Sequence, residues 1–244
     1  VGPGTDVLPI VKANGYGLGI SEVVDALEST SPWGYGVEAV EEGRTIRSDG
    51  VTRPILVLAP VPAGEVEGAV AADLRIAISS IDALRGVSDA VTASGRDAVV
   101  HVEVDTGMGR GVPLVTVART LRGVLGDARL EAAGVMTHFT AASQLPLARR
   151  QFEQFDRSML TIRRRLPVGC KRHAAATTAT VLEQALHGDM VRIGLGWVGH
   201  ALGVDTPAMH NEPLEGAVQW TSRIASIRSV SKGTSLGYGS RFVC

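Results

Sequence analysis

Eight short, β-branched runs recur along the chain with helical patterns between them: Val7–Lys12, Trp33–Val37, Pro54–Leu58, Arg75–Ser79, Ala98–Val104, Ala132–His138, Pro167–His173 and Asp189–Leu195. Strands separated by helices pair in parallel, and eight such units predict an α/β protein of the (β/α)8, TIM-type barrel form. A doubly wound open sheet is built from the same units, but the count of eight argues against it. The clearest helix carries Ala148, Phe152, Phe155, Met159, Ile162 and Leu166 at alternating steps of four and three, which lines one face with apolar side chains. After Gly203 the pattern changes. Pro207 and Pro213 bracket a polar connector, and two β-rich segments follow, Ala217–Ile227 and Ser235–Val243, joined by a Lys232-Gly233 turn. The expected organisation is a barrel over residues 1–211 and the beginning of a β-type domain over 212–244. The chain opens on Val1-Gly2-Pro3-Gly4 without Met and stops at Cys244 directly after a strand-like run, so it reads as a segment of a longer protein.

With 45% hydrophobic residues in 244, the chain can bury a full-sized core. Its net charge of −1 is spread along the chain, leaving no basic stripe for nucleic acid and no polybasic membrane anchor. The partners to expect are small molecules or copies of the chain itself. Cys170 and Cys244 are far apart and lack metal-type spacing, which fits neither a disulfide framework nor a zinc site. Apolar runs such as Ile55–Val61 are too short to span a bilayer, and no basic-then-apolar signal opens the chain, so a cytoplasmic setting is expected.

Active sites of such barrels collect at the C-terminal ends of the strands. Lys12 ends the first strand, Arg110 follows the fifth, and His138, His173 and Arg192 lie at the ends of the sixth, seventh and eighth. Lys12 stands in Ile10-Val11-Lys12-Ala13-Asn14-Gly15-Tyr16-Gly17, an apolar strand end running into a glycine-bearing loop. The chain has very few lysines against many arginines. An arginine stays protonated, whereas a lysine amine can lose its proton and form a Schiff base, so a lysine here points to carbonyl chemistry. A surface lysine snorkelling off a strand end is the other reading that spacing allows.

At these residues the chain resembles the alanine racemases, a fold-type III family dependent on pyridoxal 5′-phosphate. The similarity runs through Val11–Gly17, Val104-Asp105-Thr106-Gly107-Met108-Gly109-Arg110, Met136-Thr137-His138-Phe139, Asp189-Met190-Val191-Arg192 and Gly237-Tyr238-Gly239, in the family's order. The resemblance implies that Lys12 carries the cofactor and acts as base on one face of the substrate α-carbon, and that Tyr238 is the base on the other. Racemisation needs both, because the proton leaves one side of a planar carbanion and returns on the other. The resemblance makes His138 the partner of that tyrosine and Arg192 the contact to the cofactor's pyridine nitrogen. A guanidinium cannot share its proton as a carboxylic acid would, so the ring remains a weak electron sink, which restrains decarboxylation and transamination. It assigns Arg110 to the phenolic oxygen and to substrate, and Tyr16, Thr177, Gly194 and Leu195 to the phosphate, with Leu58 beside the cofactor. A homodimer with Tyr238 reaching the partner's barrel is implied, as is supply of D-alanine for peptidoglycan.

The chain departs from the family pattern at several positions. Ala176 and Thr177 stand where Asn and Ser are usual, Leu18 replaces a common His, Ile193 a common Pro and Val198 a common Tyr. This puts the phosphate contacts and the identity of the substrate in question. Serine or another small amino acid is the alternative substrate. A non-catalytic cofactor-binding barrel would need neither a β-domain nor Tyr238, a lyase or decarboxylase is disfavoured by Arg192, and a decayed racemase-like fragment is the remaining alternative. Glu103 is the departure richest in chemistry. Many family members carry a lysine seven positions before the arginine matching Arg110, and its carbamylation presents an anion to that arginine. Here Glu103 would supply a permanent carboxylate for a bidentate fit, and period-two alternation puts it on one face with His101 and Asp105.

Overall fold

A computed structural model describes residues 1–200 and 214–244. The eight expected parallel strands are all present: β1 (Asp6–Pro9), β2 (Tyr35–Val37), β3 (Ile55–Val57), β4 (Arg75–Ile78), β5 (Ala98–Asp105), then, after the short β6 (Val112–Pro113) beside β5, β7 (Leu130–Met136), β8 (Lys171–His173) and β9 (Met190–Ile193). They run in the order β2-β3-β4-β5-β7-β8, with β1 paired to β9. Single parallel bridges, Ile10 with Gly36 and Ala176 with Arg192, join the two sheets and close the ring into a TIM-type barrel. One apolar layer fills the inside with Leu8, Ile10, Leu56, Ala77, Met136 and Met190. A larger one seals the outer sheet face against the helices, with Tyr35, Ile55, Ile76, Leu121 and Phe155 at its centre.

Local chemistry sets the helix ends. In α5 (Ile81–Ser94) the Ser80 hydroxyl accepts from the Ala83 amide at 2.9 Å, and Gly95 ends the helix at φ 68°, a conformation an L side chain resists. In α7 (Leu145–Met159) Ala148, Phe155 and Met159 are buried as the apolar spacing requires. That helix stops earlier than the spacing suggests. Ile162 and Leu166 pack against the core from the turns that follow, and Leu166 is extended because Pro167 disfavours helical backbone at the residue before it.

Four expectations are corrected. The first strand ends at Pro9, so Lys12 lies beyond it, in a separate turn. The seventh strand does not begin at Pro167, since residues 167–170 turn, with Cys170 N–H donating to the Pro167 carbonyl and Gly169 at φ 95°. Ala217–Ile227 forms no strand. A strand needs a neighbour for its backbone, and among the described residues only the Ala217 amide of this segment finds one, donating to the Val198 carbonyl at 2.9 Å, while Trp220, Ile224 and Ile227 stay almost wholly exposed. The last segment pairs within itself, β10 (Ser235–Leu236) against β11 (Phe242–Val243), and not across the Lys232-Gly233 turn. The expected boundary at 211/212, with Pro207 and Pro213, lies outside the described residues. No described helix is long and apolar enough to cross a membrane.

Candidate active site

The C-terminal strand ends open into a cleft of about 440 Å³ lined by Lys12, Tyr16, Glu38, Leu58, Glu103, Arg110, His138, Thr177, Arg192, Gly194 and Leu195, among others. A larger groove of about 650 Å³ lies on the outer surface. Four of its polar side chains pair with each other, Arg53 with Glu28 at 2.9 Å and Ser21 with Asp49 at 2.6 Å, and it contains no strand-end residue.

Lys12 enters the cleft through a left-handed turn. In α1 (Lys12–Tyr16), Ala13, Asn14, Gly15 and Tyr16 have φ of 53°, 54°, 63° and 55°. Only Gly15 takes that conformation freely, and the other three cost roughly 1–2 kcal/mol each. The surroundings hold the turn. The Asn14 carboxamide oxygen accepts from the Ile20 amide at 3.0 Å, and one Glu42 oxygen accepts from the Asn14 amide at 3.3 Å while the other accepts from the amides of Glu38 and Ala39. Strain held at a functional side chain is a common mark of a working site. Here the turn brings both Lys12 and Tyr16 to the cleft wall, and Lys12 Nζ pairs with Glu38 at 2.7 Å. Sequence reading missed Glu38, although it directly follows β2 and the strand-end rule that singled out the other residues applies to it equally. It also missed Trp197, whose indole N–H donates to the Ile10 carbonyl at 2.8 Å and whose ring meets Tyr16 edge-on. Burial raises the Tyr16 phenol above its usual range, with Lys12 opposing and Glu38 adding to the shift.

Arg192 is buried, and its donors are largely committed. Nη1 donates to the His173 carbonyl at 2.9 Å and to His173 Nδ1 at 3.0 Å, while Nη2 serves the Thr137 and Ala174 carbonyls and His138 Nδ1 at 2.7, 3.0 and 3.2 Å. Among the described residues its Nε–H has no acceptor, which leaves one donor of fixed orientation. Burial lowers the guanidinium to about 10, with Glu103 opposing and Arg110 adding to the shift, so it remains a cation at neutral pH. Because a guanidinium can only donate, His138 must accept at Nδ1 and carry its proton on Nε2. Burial, then Arg192, Arg110 and Lys12, push His138 down to about 3, so it is neutral.

Glu103 is 2% exposed, and its Oε1 accepts from Arg110 Nε at 2.7 Å. The fit is single, not bidentate as expected: Oε2 is buried without a partner among the described residues, since Arg110 presents Nε and not its terminal fork. The carboxylate thus holds Arg110 at its inner edge and leaves both Nη groups for the cleft. Glu103→Gln keeps the shape but removes the charge. Losing a charge-assisted hydrogen bond of about 2 kcal/mol should lower cofactor affinity and turnover by roughly tenfold or more. Titration of the variant with pyridoxal 5′-phosphate, alongside steady-state kinetics, checks this, and parity with the parent would leave Glu103 without an orienting role.

Thr177, which opens α8 (Thr177–Leu182), accepts at Oγ1 from the amides of Gly194 and Gly196 at 3.2 and 3.1 Å. A Cβ on Gly194 would run into the Tyr16 hydroxyl, so the bare backbone there keeps the cleft floor open. Tyr238 is not among these residues. It sits fully exposed in the turn Tyr238–Ser240, outside the cleft of its own chain.

The family model for the N-terminal domain of alanine racemase matches residues 1–201. A protein named alanine racemase from Symbiobacterium thermophilum is 35% identical over 96% of this chain and 62% of its own length, and one from Synechocystis is 32% identical over the whole chain and 66% of its own. Among solved structures, alanine racemases from the D-cycloserine producer Streptomyces lavendulae and from Streptomyces coelicolor superpose with TM-scores of 0.88 and 0.87 at 25% and 26% identity. They cover 99% of this chain and 65% and 66% of theirs. The chain therefore spans just under two thirds of the length of these relatives.

Proposed function

The chain belongs to the alanine racemase family, and on that premise we propose that it forms the cofactor-binding barrel of a pyridoxal 5′-phosphate-dependent isomerase that interconverts L- and D-alanine. The observation that carries the reading is the meeting, in one cleft, of a lysine amine with a buried guanidinium whose single uncommitted donor among the described residues is Nε. The donor set fits the cofactor: an amine for its carbonyl, Arg192 for its ring nitrogen, Arg110 for its phenolic oxygen, and the Tyr16, Thr177, Gly194 and Leu195 floor for its phosphate. When bound, the cofactor supplies an electron sink that acidifies the substrate α-proton.

The chain's own residues do the rest. Lys12 takes or returns the α-proton on one face, and Arg110, held from behind by Glu103, receives the substrate carboxylate. Arg192 stays protonated and donates without giving up its proton, which keeps the sink weak and favours proton exchange over loss of carbon dioxide. Neutral His138, with its proton on Nε2, is set to donate to a phenolate. Tyr238 supplies that phenol from a second copy, in a homodimer, in keeping with its position outside its own cleft. A cytoplasmic enzyme feeding D-alanine to peptidoglycan is the role this chemistry fits.

The test adds pyridoxal 5′-phosphate to the purified whole protein, reduces with borohydride and maps the label. A visible band that borohydride discharges, a label on Lys12, and wash-in of solvent deuterium into both alanine enantiomers are expected. A label on Lys171 or Lys232 would end the proposal.

A further inference from the structure

Arg192 is backed by a buried pair that the proposed chemistry does not use. His173 Nε2 lies 2.9 Å from His101 Nδ1, both side chains are fully buried, and the rings meet edge-on. Hydrogen bookkeeping along this chain allows one arrangement. Arg192 can only donate, so His173 Nδ1 accepts; a neutral imidazole then carries its hydrogen on Nε2, and that hydrogen must go to His101 Nδ1. His101 consequently holds its own hydrogen on Nε2, which is buried without a hydrogen-bond partner among the described residues. That ring stands edge-on to Trp33, centroids 6.1 Å apart, and the Arg75 guanidinium lies over the same indole, 4.8 Å from its centroid. Both histidines are disfavoured as cations, first by burial and then by the neighbouring arginines, so neither can escape this logic by taking a second proton.

We infer that His101 is a positioning residue for Arg192: its Nδ1 lone pair locks His173 in the tautomer that accepts from the guanidinium, and thereby fixes the direction of the Arg192 Nε–H. Without that acceptor, His173 is free to place its hydrogen on Nδ1, where it would meet an Arg192 donor head-on and push the guanidinium out of line. Space at this point is reserved for the ring. Gly134 pairs with His101 across β5 and β7, and a Cβ on it would overlap the imidazole. The inference rests on the proposed role of Arg192 for its catalytic consequence, but the tautomer assignment stands on the geometry alone.

Side-chain 15N spectra of the whole protein read the assignment directly. His173 should show a protonated Nε2 and a bare Nδ1, and the reverse pattern in the parent overturns the inference whatever the enzyme's activity. Two variants then separate positioning from packing. Asn at 101 places an oxygen close to Nδ1, whereas Gln extends past it. His101→Asn should keep the His173 tautomer, the position of the visible band of the loaded protein, and turnover within a few fold. His101→Gln should mix the tautomers, shift the band and lower kcat about tenfold with KM unchanged, the loss expected for one buried hydrogen bond. Equal behaviour of the two variants, or kcat and KM moving together with Tm, would reduce His101 to core filling. If the loaded protein shows no band and no racemisation, the proposed function fails, while the 15N result still decides the tautomer chain.

Discussion

Lys12→Ala is expected to lower racemisation by more than about 10⁴-fold, because it removes both the carrier of the cofactor and one of the two bases, and a positioned base alone contributes roughly 10²–10⁴. The loss should be chemical and not structural. Lys12 and its partner Glu38 are 40% and 48% exposed, so water can solvate the carboxylate left behind and the lost pair should contribute only about 0–1 kcal/mol to stability. The strained turn that follows does not depend on the amine, since Asn14 and Glu42 hold it through backbone amides. The variant should therefore unfold within a few degrees of the parent while borohydride fixes no cofactor to it. A reducible adduct surviving in Lys12→Ala would show that another amine does this work, and a collapse of Tm would show that the lysine is a structural residue.

Acid should unfold the protein well above the pH at which ordinary carboxylates titrate. Burial, helped by neighbouring cations, depresses His101 and His138 from 6.5 to about 3 and lowers His173 well below 6.5. Each is neutral when folded and takes up a proton on unfolding below about pH 6.5, so the unfolded chain binds more protons and stability falls as pH drops from there towards 3. At pH 5 His101 and His138 each favour the unfolded state by about 2 kcal/mol, about 4 together, and His173 pushes the same way, which is a large share of the stability of a typical domain. Urea titrations at pH 7.5, 6, 5 and 4 should show a steep fall beginning near pH 6.5, with up to three protons taken up per molecule unfolded. A flat response down to pH 5 would mean that water reaches these rings. His101→Asn, which leaves two of the three, should soften the slope by about one proton.

Much of this protein is readable without its structure. The alternation of strand and helix patterns is a local property, set by side-chain branching and apolar spacing, and each of the eight expected strands forms. Once the barrel is accepted, the strand-end rule places Lys12, Arg110, His138 and Arg192 around one cleft, because parallel strands carry all their C-terminal ends to the same side. Where sequence reading failed, the missing information was a partner. Ala217–Ile227 has strand-like chemistry, but a strand forms only against a neighbour, and local pattern does not say whether one is there.

The left-handed turn at Lys12 was equally hidden. Ala13, Asn14 and Tyr16 would not choose that backbone by themselves; Glu42, far away in sequence, holds it. The Lys12–Glu38 pair formed only when β2 closed beside β1, and the tautomers of His173 and His138 follow from a guanidinium that the eighth strand brings to both, with that of His101 following from His173. Residue types and periodicity thus determined the barrel and which side chains face its mouth. Hydrogen-bond direction, protonation and strain were decided only by tertiary structure, because each depends on a second group that the chain brings into hydrogen-bond reach from many residues away.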